Sequence, residues 1–374
     1  MDVDSFCREL PKVELHAHLN GSLSRATMLQ LQRHYADRGI VDKRNAFFDE
    51  FQIGAGDTRS FSDCFQVFGI AHSLTSTPET LELATALTLQ EFQDDGCCYI
   101  ELRSTPRDTD YLTKKQYLET IVQAIKKSSL HLTMVSRLIV SINRASPITE
   151  ADIITNLAIE SFKLHPDVIV GIEISGNPVV AKFEDFVPLL VKARDAGLKI
   201  TLHCGEVYNP QEVLEMLKFK PDRIGHGVCI HPRLGGTNEC WSLLCESKIP
   251  VEVCLTSNVN TKSTPDYESH HFKELYEAGV PIIICTDDKG VFATSLSQEY
   301  RLCGETFNLT QSKLSRLSLD ACQYVFAESI RKTLSEQVRN FMNEKNAVTS
   351  EPVVRDVPIP PRYRYLLILV VLKS

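Results

Sequence analysis

The sequence predicts an α/β protein, a parallel (β/α)8 barrel with extra helices after its first strand. Three observations carry this reading. Apolar runs of strand character recur at about 12–18, 97–104, 132–142, 168–175, 199–204, 223–228, 250–256 and 281–286. Amphipathic stretches long enough for a helix separate most of them, with no break in composition, as repeated βα units require. Residues able to bind a metal or move protons end the first, fifth, sixth and eighth runs. In a barrel the C-terminal ends of all strands meet at one mouth, so those groups converge. A doubly wound open sheet is the competing arrangement, but it gathers its chemistry at a single crevice.

Taken in order, the first run is Val13-Glu14-Leu15-His16-Ala17-His18-Leu19-Asn20. Residues i and i+2 of a strand face the same side, so His16 and His18 can approach one ion. The segment 20–95 exceeds one helix and is expected to add helices that cover the mouth, with a mobile, glycine-containing turn at 54–60. Pro78–Phe92 reads as a helix capped by Thr77, with Leu81, Ala84 and Leu89 on one stripe. Thr113–Lys127, Glu150–Leu164 and Phe183–Ala196 read likewise, and Gly197 is a helix stop just before the strand Lys199–His203. One domain spans 1–345, which leaves an atypical tail at 346–374. That tail is proline-rich from Glu351 to Pro361 and uninterruptedly apolar from Tyr365 to Leu372, too short for the ~20 residues of a bilayer span. No function is assigned to it.

Composition narrows the function. A chain of 374 residues can bury a large core, and a formal charge of -8 without like-charge blocks argues against nucleic acid as a partner. The 12 cysteines are scattered, with no C-x-x-C pair, so they read as buried free thiols rather than a disulfide framework or zinc ribbon. The N-terminus lacks a basic region followed by an apolar core. A monomeric cytoplasmic protein that engages neither a membrane nor nucleic acid is expected. The N-x-S/T matches at Asn20 and Asn308 are then accidental.

His16, His18 and His203 with Asp287 supply three imidazoles and a carboxylate, a set suited to one zinc ion or a similar divalent cation. A water at an open position of such an ion loses its proton near neutral pH. Glu206, three residues beyond His203, would lie beside the ion and could hold a proton for substrate. His226, between two glycines, could ligate the ion or orient the attacking water; the second is favoured. Asp287 and Asp288 are neighbours whose side chains would point apart on a strand, one to the metal and one to water or substrate. A two-metal site commonly uses a modified lysine at the fourth strand, and the run 168–176 holds none.

His16/His18, Gly176, His203-x-x-Glu206, Gly225-His226-Gly227, Thr256-Ser257-Asn258 and Thr286-Asp287-Asp288 together resemble the adenosine/AMP deaminase family, built on a TIM barrel. The likeness covers about residues 6–340. The stretches 10–22 and 285–294 are similar to the branch of that family that deaminates N6-methyl-AMP. The resemblance implies zinc on His16, His18, His203 and Asp287, with Glu206 as proton donor and His226 and Asp288 orienting the water. It places the backbone N–H of Gly176 against the purine. It further implies attack on purine C6 while Glu206 protonates ring N1, loss of the exocyclic amine, and a 6-oxo product. His18, Asn20, His72, Ser104, Thr105, Pro106 and Arg107 match substrate-contact positions, and Asp288 would join them. Arg107 and Lys289 are the candidate partners of a 5′-phosphate. Asn143 stands where related sequences carry Asp, keeping a hydrogen bond for ribose without the charge. The H-x-E and P-C-x-x-C signature of the other zinc deaminases is absent.

The expected activity is therefore hydrolytic deamination of N6-methyl-AMP and related N6-substituted purine monophosphates to IMP and an amine, with one zinc per chain. An adenosine or AMP deaminase is the enzymatic alternative. A catalytically silent purine-binding protein is the alternative of another class, disfavoured because a pure binder needs no proton donor.

Overall fold

The computed structural model describes residues 2–37, 51–54, 56–57 and 67–349. Parts of the turn expected at 54–60, and the tail from 350 onward, lie outside these residues.

Eight parallel strands run in sequence order around a nearly closed barrel: β1 (Lys12–His18), β2 (Cys97–Ser104), β3 (Val135–Asn143), β4 (Ile169–Ser175), β5 (Lys199–Cys204), β6 (Arg223–His226), β7 (Val251–Val253) and β8 (Ile282–Ile284). Each strand pairs in parallel with the next. The last gap is crossed beyond the end of β8. There Ala17 bridges to Asp287, whose N–H donates to the His16 carbonyl at 2.8 Å, and the His18 N–H donates to the Asp287 carbonyl at 3.0 Å.

Local signals set the helices. Thr77 accepts from the Thr80 N–H at the start of Pro78–Asp94, and Thr113 accepts from the Gln116 N–H at the start of Lys114–Ser128, each in a reciprocal capping box. The outward faces of the strands, such as Val13, Leu15 and Ala17 of β1, join the apolar sides of these helices in one continuous core.

Two expectations need correction. The seventh run was read as a strand through residue 256, but β7 stops at Val253 and Leu255–Asn260 is helical. The buried Glu299 carboxylate accepts the Thr256 N–H at 3.1 Å and bonds its hydroxyl, which satisfies the start of that short helix. Asp287 and Asp288 do not diverge by strand alternation, because β8 ends before them and Asp287 is left-handed at φ 60°. The backbone kink separates the two side chains.

As expected, the segment after β1 covers the mouth. Leu23, Met28, Leu31, Tyr35, Phe51, Ile53, Ala71 and Leu74 form a second buried cluster with Val291 and Phe292 from beyond β8. No helix among the described residues is long and apolar enough to cross a membrane.

Candidate active site

At the mouth, His16, His18, His203 and Asp287 bring one ligand atom each to within 4.8 Å of one another. His203 Nε2 lies 3.2 Å from Nε2 of both His16 and His18, and Asp287 Oδ1 lies 3.3 and 3.4 Å from the same two nitrogens. With metal–nitrogen bonds of about 2.0–2.1 Å, adjacent ligands of a zinc-sized ion fall roughly 3.3 Å apart, so the spacing fits. Packing leaves little choice: a Cβ on Gly225 would sit 2.6 Å from His16 Cε1, so the residue beside this ring carries no side chain.

The other ring nitrogens face carboxylates. His16 Nδ1 is 2.9 Å from Glu252, while His18 and His203 Nδ1 are each 3.6 Å from Glu173. Glu252 draws the His16 proton to Nδ1 and leaves that Nε2 lone pair for the cluster, while Glu173 faces the Nδ1 side of the other two rings, the arrangement of an imidazole metal site with its carboxylate supports. Ser257 Oγ donates to Asp287 Oδ2 at 2.7 Å and leaves Oδ1 for the cluster. Arg103 links the carboxylates, donating to Glu173 at 2.6 Å and Glu252 at 2.5 Å, and Arg223 joins Glu252 to Glu101. Burial opposes ionisation of Glu252, yet Arg103 and Arg223 hold it well below the usual carboxylate range.

This charged barrel interior was not singled out in the sequence. Its signal is there: Glu14/His16/His18, Glu101/Arg103 and Thr201/His203 each keep the two-residue period of one strand face inside otherwise apolar runs.

Glu206, His226 and Asp288 lie beside the cluster without joining it. Glu206 Oε1 is 3.5 Å from His226 Nε2. Burial, reinforced by the Asp287 charge, pushes the Glu206 carboxyl up to about 8, so it carries a proton at neutral pH. Burial and the same neighbour raise Asp288 as well. Glu206 Oε2, His226 Nε2 and Asp288 Oδ1 are all buried with no hydrogen-bond partner among the described residues. Such unsatisfied groups are costly unless something else binds them.

A cavity of about 330 Å³ opens onto Glu206 and Asp288, lined among the described residues also by His18, Asn20, His72, Ser104, Thr105, Pro106, Arg107, Asn143, Gly176 and Asp287. Ile53, Phe68, Val291 and Phe292 supply an apolar wall. Gly176 is at φ 91°, and a Cβ there would lie 2.5 Å from Asn143 Oδ1. That oxygen already accepts the Ala145 N–H at 2.9 Å, so the Asn143 amide NH2 is the part left for a ligand. Arg107 donates to Thr75 Oγ1 at 2.8 Å and Asn20 Oδ1 at 3.3 Å and stacks on Tyr117, but no carboxylate among the described residues pairs with it. Lys289 behaves differently. Its ammonium is bonded to Glu91, and it is not among the described residues that line the cavity.

A profile of the adenosine deaminase family matches residues 11–341. The chain belongs to that family. The chain is 42% identical over 337 residues to the N6-methyl-AMP deaminase of Homo sapiens, covering 89% of this chain and 93% of that protein. It is 40% identical over 343 residues to the adenosine deaminase-like protein of Drosophila melanogaster, covering 91% and 98%. Among solved structures, the Arabidopsis N6-mAMP deaminase MAPDA superposes with a TM-score of 0.79 at 38% identity, covering 91% of this chain and 99% of that one. The Arabidopsis ADAL–IMP complex reaches 0.81 at 37% identity, with the same coverage.

The protein is thus a purine deaminase of a metal-dependent hydrolase family. Membership accounts for the converging Nε2 atoms and the partnerless groups around them. It leaves Thr75, Tyr117 and the His270-His271 pair as site residues that no motif or spacing announced.

Proposed function

We propose that this enzyme hydrolyses N6-methyl-AMP, and related N6-substituted purine nucleoside monophosphates, to IMP and the free amine, using one zinc ion per chain. The observation that carries the reading is one cavity joining the histidine–aspartate cluster to Arg107, a half-buried cation without a carboxylate partner among the described residues. A nucleotide has a reacting ring for one and a phosphate for the other. The apolar wall of Ile53, Phe68, Val291 and Phe292 suits an alkyl group on N6.

His16, His18, His203 and Asp287 would hold the ion. When bound, zinc supplies Lewis acidity, lowering the pKa of a coordinated water toward about 7. The remaining work falls to side chains. Glu206 enters protonated and donates to ring N1 as C6 is attacked, which lets the ring accept the electron pair. His226 and Asp288 direct their partnerless atoms at the attacking oxygen, and the backbone at Gly176 meets the purine. Asn143 offers its NH2 to ribose, while Arg107, Asn20 and His72 receive the phosphate. The IMP named in the Arabidopsis complex is the product this scheme requires.

Turnover of N6-methyl-AMP, AMP, N6-methyladenosine and adenosine, followed by release of methylamine or ammonia, tests the proposal. N6-methyl-AMP should give the largest kcat/KM. A clear preference for either nucleoside would refute the phosphate reading, and a preference for AMP would refute the N6 reading.

A further inference from the structure

Behind His226, away from the cavity, runs a chain of buried polar groups whose direction can be worked out. It starts at a donor that cannot be reversed. The backbone N–H of Phe272 donates to His270 Nδ1 at 3.1 Å. His270 Nδ1 therefore carries a lone pair, and the ring proton is on Nε2. That nitrogen is 3.1 Å from Asn258 Oδ1, which must be the acceptor. The Asn258 amide is thereby oriented, with its Nδ2 3.1 Å from His226 Nδ1. An amide nitrogen only donates, so His226 Nδ1 accepts. The proton of His226 is left on Nε2, the buried atom 3.5 Å from Glu206 Oε1 that has no hydrogen-bond partner among the described residues.

We propose that Asn258 and His270 are positioning residues that lock His226 as the neutral Nε2–H tautomer, making it a permanent donor toward the attacking oxygen and never the base that deprotonates it. Both ends of the chain agree. An imidazolium at either ring is excluded, because each Nδ1 accepts a hydrogen bond. Asn258, His270 and His226 are 1%, 0% and 1% exposed, so water does not offer an alternative partner. His271, stacked on His270 with ring centroids 4.3 Å apart, donates from Nε2 to the His226 carbonyl at 2.7 Å. That bond steadies a residue whose φ of 62° is unusual for a side-chain-bearing amino acid. The consequence for turnover rests on the deaminase reading above; the tautomer itself does not.

The tautomer can be read directly by 15N NMR of the histidine-labelled holoenzyme, with the His226 signals assigned by their loss in His226→Gln. The wild type should show Nε2 protonated and Nδ1 bare. Asn258→Asp presents a carboxylate to Nδ1 and should move the proton there. It should also lower kcat roughly 100-fold, in the range for loss of one preorganised donor, with KM changed less than about threefold. His270→Gln keeps an N–H donor toward Asn258 and should preserve both tautomer and kcat, whereas His270→Leu should lose both. A wild-type ring protonated at Nδ1 would overturn the proposal whatever the substrate proves to be. So would equal losses in His270→Gln and His270→Leu, which would reduce His270 to packing. An intact tautomer pattern in an enzyme inactive on purine nucleotides would instead overturn the functional reading alone.

Discussion

Replacing Arg107 by alanine tests the substrate assignment most sharply, because its effect should depend on a group remote from the chemistry. Arg107 is half-buried, and that desolvation, with no countering carboxylate among the described residues, pulls its pKa down from the usual guanidinium value. Its protein partners are neutral: the Thr75 hydroxyl at 2.8 Å, the Asn20 carbonyl at 3.3 Å and the Tyr117 ring. A phosphate dianion would be its first counter-charge. Charge-assisted hydrogen bonds contribute about 1.5–3 kcal/mol, and a pair of charges 4 Å apart at an effective dielectric of 20 interacts by about 4 kcal/mol. Loss of roughly 2–4 kcal/mol corresponds to a fall of about 30- to 1000-fold in kcat/KM for N6-methyl-AMP. Much of it should appear in KM, with some in kcat if remote binding supports the reacting geometry. N6-methyladenosine has no phosphate and should lose less than about threefold by the same reasoning. Thermal stability should hold, since the substitution strands no buried carboxylate. Equal losses for nucleotide and nucleoside would show that Arg107 serves the rim of the barrel, and the phosphate assignment would fall.

Other perturbations separate the remaining roles. Glu206→Gln should lower kcat by about 10²–10⁴-fold while metal content stays normal, since the residue moves a proton and does not ligate; near-wild-type turnover would remove it from the mechanism. His203→Ala should lose metal and activity together, whereas His226→Ala should keep the metal and lose only activity. Elemental analysis that found His226→Ala stripped would reverse these roles. As purified the protein should hold about one zinc per chain, and chelation should lower Tm reversibly, because a ligand present at 1,000 times its Kd stabilises the folded state by about 4 kcal/mol. Two tightly held ions would refute the single-ion site. Glu252→Gln leaves Arg103 and Arg223 without a shared buried counter-charge and should cost roughly 3–5 kcal/mol in chemical denaturation. It should also weaken metal affinity about 10- to 100-fold, and unchanged affinity would deny that Glu252 supports His16.

The barrel was legible because strands buried on both faces are nearly continuous apolar runs, and because helix caps such as Thr77 and Thr113 are local. The strand ends at 253 and 284 were not, because there a distant carboxylate or a left-handed turn overrides the apolar pattern. The four residues of the histidine–aspartate cluster could be read from strand parity and the order of the motifs. Lys289 could not be placed, since Glu91 captures it from a helix far away in sequence. Nor could the partners of Arg107, or His271 on the His226 carbonyl: Thr75, Tyr117 and His271 reach them through loops and helices whose approach depends on the closed fold. Residues that act through periodicity are visible in one dimension, and residues that act through convergence are not.

The bridge between Ala17 and Asp287 joins the first turn of the barrel wall to the last. Two of the histidines flank that bridge on one side, and the aspartate is its other half. Closing the ring and completing the ligand cage are thus one event. No three-histidine, one-aspartate set exists until the whole chain through Asp287 has been laid down and wrapped, so a shortened chain that ends before that residue cannot hold the ion in this way. A cation bound there would in turn act as a clasp across the seam. The place where the barrel would open most readily is the place its chemistry fastens, and loss of the metal should register there first, as faster amide exchange at His18 and Asp287 before any strand elsewhere in the wall.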